Sequence, residues 1–196
     1  MSATSAVGRA AMSDLPSAAQ ARIISSALDL FARHGVGGTS LQMIADDIGV
    51  TKAAVYHQFK TKDEIIIAAA ESELARLEKV IDAAEGEASP AKVRRTLVTG
   101  MIDLAVARRR TASTILNDPL IVGLLAGHEP SRRVMNRLCR VLMGGDIGHE
   151  SRVSTAMFAA AISGAVMHPL VNGLDDKTLR SQLQQLTQRL LPSIRG

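Results

Sequence analysis

Cysteine, tryptophan and long apolar runs are scarce or absent in this 196-residue sequence: Cys139 is its one cysteine, and tryptophan does not occur. A single cysteine excludes a disulfide framework within the chain. We expect Cys139 to be a core residue beside Leu138 and Val141, and a redox role for its thiol stays open. No stretch approaches the roughly 20 apolar residues of a membrane-spanning helix. Residues 1–17 lack the apolar centre of a secretory signal, so we expect a flexible tail and a cytoplasmic protein.

Aromatic side chains make up 2% of the sequence, and the excess of positive charge is small, with a net charge of +4 and a pI near 9.6. So few aromatic residues disfavour an aromatic cage for a cationic ligand. Residues 1–62 hold six Lys/Arg and four Asp/Glu, and residues 63–196 hold seventeen and fifteen, so each part carries +2. Attraction to a polyanion must therefore come from a local cluster of cations.

Patterns typical of catalysis are also missing. The pairs His128-Glu129 and His149-Glu150 each lack the second histidine of a zinc-binding helix and are expected to be cap and turn residues. The glycine-rich run 144–148 has no preceding strand, which disfavours a nucleotide-binding loop. We therefore expect no catalytic residue, no metal and no cofactor, and the sequence does not favour an enzyme.

Helical periodicity dominates the chain, and no convincing period-two strand is present. The sequence predicts an all-α fold of about nine helices. Residues 18–62 are expected to form a DNA-binding domain, whose first helix presents the apolar stripe Ile23, Ala27, Leu30 and Phe31. Residues 63–196 are expected to form an effector-binding and dimerisation domain. Its helices are predicted near residues 63–84, 90–110, 111–117, 119–126, 130–143, 149–168 and 175–191.

Residues 35–62 contain the most specific pattern, two short capped helices joined at a glycine. The residues Thr39-Ser40-Leu41-Gln42 fit a capping box with Thr39 as the N-cap. The helix that follows buries Leu41, Ile44, Ala45 and Ile48 at helical spacing and ends at Gly49. Thr51 is expected to cap the next helix. This is the layout of a helix-turn-helix, with an ordinary surface helix pair as the alternative.

The second of these helices separates into an inner and an outer side at about 100° per residue. Val55 and Phe59 point inward, and the residues that point outward are Lys52, Ala53, Tyr56, His57 and Lys60. Residues 51–62 hold three lysines and no acid, and Thr61-Lys62-Asp63-Glu64 fits a second capping box. Lysines neutralise phosphates, Tyr56 and His57 can hydrogen-bond backbone oxygens, and Ala53 allows close approach to a base. The pattern predicts a DNA-reading face.

At these residues the chain resembles the TetR/AcrR transcriptional regulators. The resemblance rests on Leu30-Phe31-Ala32-Arg33-His34-Gly35, Thr39-Ser40, Ile44-Ala45, Gly49-Val50-Thr51, Val55-Tyr56, Phe59 and Lys62. Gln58 departs from the histidine that is usual before the phenylalanine, and is expected to affect packing more than base reading. The resemblance implies phosphate contacts from Thr39, Tyr56 and Lys62 and groove contacts from Thr51, Lys52, Ala53 and His57. The full predicted DNA-binding set adds Ser40 and Lys60.

The last two helices carry small and apolar residues at regular spacing, which favours close packing of helices. The sequence predicts a dimer interface, with an internal core as the alternative for one face of each helix. Its residues are Val153, Ala156, Met157, Ala160, Ala161, Gly164, Ala165, Leu179, Leu183, Leu186 and Leu190. The resemblance implies a four-helix interface between two copies of the chain. A two-fold dimer predicts a roughly palindromic double-stranded operator.

The middle helices are expected to surround an apolar small-molecule effector, as the resemblance implies. The predicted lining is Leu97, Met101, Leu104, Ile115, Leu116, Leu124, Met135 and Leu138, with ordinary core as the alternative. The run Arg108-Arg109-Arg110 is expected to be a solvated helix end. The sequence thus favours a homodimeric repressor that an effector releases from its operator. An effector-independent DNA-binding or architectural factor remains the alternative function.

Overall fold

The computed structural model describes residues 16–109 and 119–190, and every regular element in these ranges is helical. The predicted all-α fold is confirmed. A 3-10 helix, Pro169–Val171, lies between the last two α-helices. In chain order, the nine α-helices of the described ranges are α1 Ala18–Gly38, α2 Leu41–Asp47, α3 Lys52–Gln58, α4 Lys62–Glu85, α5 Pro90–Ala107, α6 Pro119–Gly127, α7 Glu129–Met143, α8 His149–Met167 and α9 Asp176–Leu190.

Side-chain caps fix several of the helix starts. Ser17 accepts a hydrogen bond from the Gln20 amide, and the Gln20 side chain accepts one from the Ser17 amide, so α1 begins with a complete capping box. Ser89 caps α5 in front of Pro90, the first helical residue, where a missing N–H costs nothing. The predicted helix at residues 111–117 lies outside the described residues.

The first hydrophobic core joins α1, α2, α3 and the beginning of α4. Ile121 of α6 also belongs to this core and is fully buried. It lies more than 50 residues after Ala69, the last residue that α4 contributes to the core. The core therefore includes residues on both sides of the predicted domain boundary at residue 62. The buried members are Ile23, Ile24, Ala27, Leu28, Leu30, Phe31, Val36, Ile44, Ala45, Val55, Phe59, Ile65, Ile66, Ala69 and Ile121.

The second core joins the end of α4 with α5, α7, α8 and α9. Helix α4 contributes to both cores, with Ile65 and Ile66 in the first and Ile81 and Ala84 in the second. Gly100 of α5 faces Val80 of α4, and a Cβ at position 100 would lie 2.4 Å from a Val80 methyl carbon. The glycine therefore permits the close approach of α4 and α5.

The predicted effector-lining residues are dispersed between these two cores. Leu97, Met101 and Leu138 are buried in the second core, while Leu124 packs against the first. Leu104 is partly buried on α5. Met135 is 42% exposed, so its prediction as a lining residue is wrong. Ile115 and Leu116 lie outside the described residues. An open cleft of about 380 Å³ beside the start of α5 and the end of α7 contains none of the predicted residues.

The predicted dimer residues divide between an exposed and a buried group. Leu179 and Leu183 are 2% and 8% exposed and belong to the second core, so assigning them to an interface with another copy is wrong. They pack in this core with residues of α5, and Arg180, next to Leu179, forms an ion pair with Asp103 of α5, with the Nε and Oδ1 atoms 2.7 Å apart. Ala165 is only partly exposed. The side chain of Leu190 lies outside the described part. The other predicted residues are exposed: Val153, Ala156, Met157, Ala160, Ala161, Gly164 and Leu186.

Two of the three consecutive arginines are engaged in ion pairs. Arg108 pairs with Glu73 of α4, and Arg109 lies 3.2 Å from Asp176 of α9. Each arginine side chain is only about a third exposed. The prediction of a solvated helix end is therefore wrong for Arg108 and Arg109, and Arg110 lies outside the described residues. Cys139 is buried, as predicted, and is 3% exposed.

The described residues do not contain a helix that is long and apolar enough to cross a membrane. Within the same ranges, no group of three or more His, Cys, Asp or Glu residues is arranged to hold a metal ion. His128 occupies the N-cap position of α7, as expected for a cap residue, whereas His149 and Glu150, predicted as cap and turn residues, are the first two residues of α8.

Candidate nucleic-acid interface

Helices α2 and α3 are joined by a tight turn centred on Gly49. Gly49 has φ +68°, a left-handed conformation that an L side chain adopts only at a cost. The Val50 amide donates to the Ala45 carbonyl oxygen at 2.9 Å, and the Gly49 amide donates to that of Asp46 at 3.2 Å. These bonds satisfy the last carbonyls of α2 and reverse the chain into α3. The predicted helix-turn-helix geometry is therefore present.

The start of α2 differs from the prediction by one residue. Ser40 is the N-cap, and its Oγ accepts from the Met43 amide at 3.2 Å. Thr39 is 2% exposed, and its Oγ1 donates to the Gly35 carbonyl oxygen at 2.9 Å. The predicted capping role of Thr39 is wrong, because its hydroxyl faces back to the end of α1. The same burial keeps Thr39 from the phosphate contact predicted for it, while Ser40 is exposed.

Helix α3 is anchored by two apolar side chains, as predicted. Val55 is fully buried and Phe59 is 5% exposed, and both belong to the first core. Thr51 caps the helix, with its Oγ1 accepting from the Ala54 amide at 3.2 Å. The structure brings all five predicted outward residues to the exposed side of the α3 segment: Lys52, Ala53, Tyr56, His57 and Lys60.

Tyr56 and Lys60 form a unit on this face. The Lys60 ammonium lies 4.5 Å from the centroid of the Tyr56 ring, within the range of a cation–π interaction. It also donates to the Tyr56 carbonyl oxygen at 2.9 Å, and so satisfies an acceptor at the end of α3. Tyr56 remains 51% exposed. The arrangement holds a positive charge next to a phenol. The sequence signal for this pair was that both residues were placed on the outward side of the segment, although Lys60 lies beyond the last residue of α3.

The turn from α3 into α4 is fixed by Glu64. Its Oε2 accepts from the Lys60 amide at 2.7 Å, and its own amide donates to Thr61 Oγ1 at 3.1 Å. One of the two hydrogen bonds of the predicted capping box at 61–64 is thus present, from the Glu64 amide to Thr61. The Glu64 carboxylate accepts from the amide of Lys60, one residue before the N-cap, and not from the amide of Thr61. Glu64 therefore fixes the backbone between the end of α3 and the start of α4.

Lys62 occupies a different position from the one predicted. Its ammonium donates to the Val36 carbonyl oxygen at 2.6 Å and to the Thr39 carbonyl oxygen at 2.8 Å, and it is partly buried. Two of its three donors are therefore satisfied within the protein. The ammonium is thus directed at carbonyl oxygens within the protein, in contrast to the phosphate contact predicted for it. The partners are 26 and 23 residues away in sequence, so no local signal could have indicated them.

Acidic side chains near the face have partners of their own. Asp47 accepts from Ser26 Oγ at 2.6 Å and lies 3.6 Å from Arg33, and Asp46 accepts from Gln42 at 2.7 Å. Within the described ranges, Lys52 has no ion-pair partner closer than 4.0 Å. The exposed side of α3 therefore keeps its positive character, which suits a phosphate backbone.

Residues 23–69 match the family model described as "Bacterial regulatory proteins, tetR family". The chain is 40% identical over 50 residues to YerO of Bacillus subtilis, described as an uncharacterised HTH-type transcriptional regulator. It is 28% identical over 71 residues to the HTH-type transcriptional repressor AcnR of Corynebacterium glutamicum. These alignments cover 26% and 36% of this chain, and the chain spans 17% and 38% of the length of the two relatives.

Over most of its length, the fold of the chain is similar to that of a solved regulator. A TetR-like transcriptional regulator from Rhodococcus sp. RHA1 superimposes with a TM-score of 0.67 at 19% identity, covering 91% of this chain and 99% of that chain. At this level of identity the similarity extends to the fold. The family model covers the helix-turn-helix, whereas the structural match extends over most of the chain.

Proposed function

We propose, from the match of residues 23–69 to the tetR family of bacterial regulatory proteins, that this chain is a sequence-specific DNA-binding transcriptional regulator. One observation carries the proposal: α3 is anchored by buried Val55 and Phe59 and presents Lys52, Ala53, Tyr56, His57 and Lys60 to solvent. A short helix fixed in this way can enter the major groove without losing its core contacts.

The proposed contacts divide by chemistry. Lys52 and Lys60 neutralise phosphates, while the Tyr56 hydroxyl donates to a phosphate oxygen beside Lys60. Ala53 approaches a base edge or a thymine methyl, and His57 contacts the groove. Ser40 and Thr51 cap α2 and α3 with their oxygens and keep their hydroxyl hydrogens for phosphate oxygens.

We further propose that the regulator is a homodimer. The exposed side of α8 supports this, since Val153 and Met157 are 58% and 69% exposed and lie beside Ala156, Ala160, Ala161 and Gly164. A row of small residues lets a helix of a second copy approach closely, and Leu186 of α9 adds an exposed apolar side chain. Two copies would present two α3 helices to half-sites of a roughly palindromic operator.

The proposed mode of action is repression that a small apolar molecule relieves. Residues 18–62 would read DNA and residues 63–196 would bind the effector and the second copy. Helix α4 supports a link between the two, since it packs in both cores. An effector that binds more tightly to a form with unsuitable α3 spacing would release DNA by that difference in affinity. The similarity of the N-terminal part of this chain to the repressor AcnR favours repression over activation as its mode of action.

Selection of bound fragments from genomic DNA tests the DNA-binding function. The wild-type chain should enrich defined fragments, and its affinity should fall steeply as salt rises. A variant with Lys52→Gln, Tyr56→Ala and Lys60→Gln should lose the enrichment. The matched control carries Lys92→Gln and Lys177→Gln, two exposed lysines on α5 and α9. Equal enrichment by both variants would refute the assigned face.

The effector is tested separately once an operator is known. Apolar metabolites that raise the thermal midpoint of the protein are then tested for release of the operator. Stabilisation together with release supports an effector-controlled repressor. Operator binding that no stabilising compound alters supports the effector-independent alternative.

A further inference from the structure

We infer that Lys62 is a positioning residue of the DNA-reading face, acting through the junction between α1 and α2. This inference rests on the proposed function. Lys62 is the first residue of α4, and its ammonium donates to the carbonyl oxygens of Val36 and Thr39, at 2.6 and 2.8 Å. Charge-assisted hydrogen bonds of this length are roughly twice as strong as bonds between neutral groups.

The two carbonyl oxygens belong to the irregular end of α1. Gly35 has φ 71° and ψ 162°, so the chain leaves the helical path there and resumes it for one further turn. Backbone carbonyls at a helix end attract a positive charge, and the Val36 carbonyl oxygen otherwise accepts a long hydrogen bond from the Thr39 amide, at 3.4 Å. The Lys62 ammonium supplies that charge, and Thr39 Oγ1 satisfies the Gly35 carbonyl oxygen in the same junction. Lys62 thus closes the end of α1 from outside the helix.

Closing this junction fixes two flanks of the reading helix relative to each other. The Thr39 carbonyl directly precedes Ser40, the N-cap of α2, whereas Lys62 directly follows Thr61, the N-cap of α4. Helix α3 lies between these two points in the chain. Both hydrogen bonds therefore hold the α2 start and the α3–α4 turn together, on either side of α3. Lys62 thereby sets the distance between the start of α2 and the α3–α4 turn. This distance fixes the position of α3, from which Lys52 and Lys60 contact the DNA.

A positioning lysine and a phosphate-binding lysine differ in their dependence on salt. Each phosphate that a protein neutralises adds about 0.9 to the slope of log K against log salt concentration. Removing a lysine that contacts phosphate lowers this slope by about one. Removing a lysine whose ammonium is held by carbonyl oxygens of the protein, and does not contact phosphate, weakens binding at every salt concentration and leaves the slope unchanged.

Lys62→Met and Lys52→Met provide matched variants, since each removes one ammonium from the same domain. For Lys62→Met we expect about a tenfold loss of affinity with an unchanged salt slope. Without DNA, it should show faster hydrogen exchange of the Thr39, Met43 and Ile44 amides, which lie in the junction and first turn of α2. For Lys52→Met we expect a slope lower by about 0.9 and unchanged exchange of the same amides.

A measurement on the wild-type protein covers the case in which Lys62→Met does not fold. Nuclear magnetic resonance of the lysine ammonium groups should give a slowly exchanging Lys62 signal that DNA does not shift, while DNA shifts that of Lys52. A lower salt slope for Lys62→Met with unchanged amide exchange would overturn the positioning role, as would a DNA-induced shift of the Lys62 signal. Absence of any DNA binding by the wild-type chain would instead refute the proposed function; the exchange measurement would still test the Lys62 contacts.

Discussion

The Lys60 ammonium lies over the Tyr56 ring, 4.5 Å from its centroid, and donates to the carbonyl oxygen of the same residue at 2.9 Å. The tyrosine therefore holds the lysine in two ways, through its ring and through its backbone. A lysine side chain that is already ordered loses less conformational entropy when it meets a phosphate. The pair prepares the exposed side of α3 for contact with an anionic backbone.

Replacement of Tyr56 separates the hydroxyl from the ring. Tyr56→Phe keeps the ring under Lys60 and removes the hydroxyl, so we expect about a tenfold loss of operator affinity, the effect of one hydrogen bond to a charged group. Tyr56→Ala removes the ring as well and should bind more weakly than Tyr56→Phe. Fluorescence anisotropy with a labelled operator at fixed salt measures both. Because Tyr56 is 51% exposed, the thermal midpoint of Tyr56→Phe should match the wild type. Equal operator affinity of the wild type, Tyr56→Phe and Tyr56→Ala would show that Tyr56 does not contact the DNA.

Gly49 should be far less tolerant of a side chain than Gly37. At φ +68°, Gly49→Ala places an L residue in the left-handed region, at a cost of roughly 1–2 kcal/mol of unfolding free energy. Gly37 does not have a positive φ, and a Cβ there would meet nothing within 4 Å, so Gly37→Ala is the matched control. Its expected effect is neutral or slightly stabilising. Urea unfolding followed by circular dichroism compares the two. Equal stability of both variants would argue against the observed turn.

Short-range patterns predicted much of this fold and site, because they depend on residues close in sequence. The helical period identified Val55 and Phe59 as inward and Tyr56 as outward, and Gly49 indicated the turn. Adjacent hydroxyls were ambiguous, since Thr39 and Ser40 could each cap α2. The choice depends on whether a hydroxyl faces the amides of α2 or the Gly35 carbonyl of α1, which local sequence does not specify.

Long-range packing limited the other predictions. Leu179 and Leu183 have the spacing of a helix contact, but spacing alone does not say whether the partner is α5 of the same chain or a second copy. Lys62 resembles a phosphate ligand in sequence, yet its acceptors lie more than 20 residues away. Ile121 likewise joins the first core from a helix that the periodicity assigned to the second part of the chain.

Truncation of Ile121 should weaken the first core. Ile121 is fully buried and belongs to the first core together with side chains of α1 to α4, so Ile121→Ala is expected to cost about 2–5 kcal/mol of unfolding free energy. Leu170→Ala is the control, because Leu170 is 87% exposed and should change little. Hydrogen exchange locates the effect, which should reach the amides of α1 and α2. Loss of protection confined to α6 and α7 would contradict the observed packing.

Acid should remove the stabilisation that two aspartates give to the starts of α8 and α9. The Ser151 hydroxyl and then the Gly148 amide lower the pKa of Asp146, and the amide and hydroxyl of Thr178 lower the pKa of Asp175. Since each folded pKa lies below the unfolded value, the stabilisation is present above about pH 4 and is lost as pH falls through the folded pKa. In urea unfolding at pH 6, the Asp146→Asn, Asp175→Asn double variant should have a lower free energy of unfolding than the wild type. The difference should shrink towards pH 2.5, and a constant difference would contradict the assignment.

A charge on the exposed side of α8 should separate the proposed dimer into single chains. Ala160 is exposed in the row of small residues between Ala156 and Gly164, so Ala160→Glu would place a carboxylate in the apolar interface at a high desolvation cost. Ala91→Glu is the control, because Ala91 is exposed and lies on α5, outside the predicted interface. Light scattering after size-exclusion chromatography should give twice the chain mass of 20.8 kDa for wild type and Ala91→Glu, and the single-chain mass for Ala160→Glu. The monomeric variant should also bind a two-half-site operator far more weakly, because the avidity of two linked α3 helices is lost. A dimeric Ala160→Glu protein would assign the contact between copies to another surface.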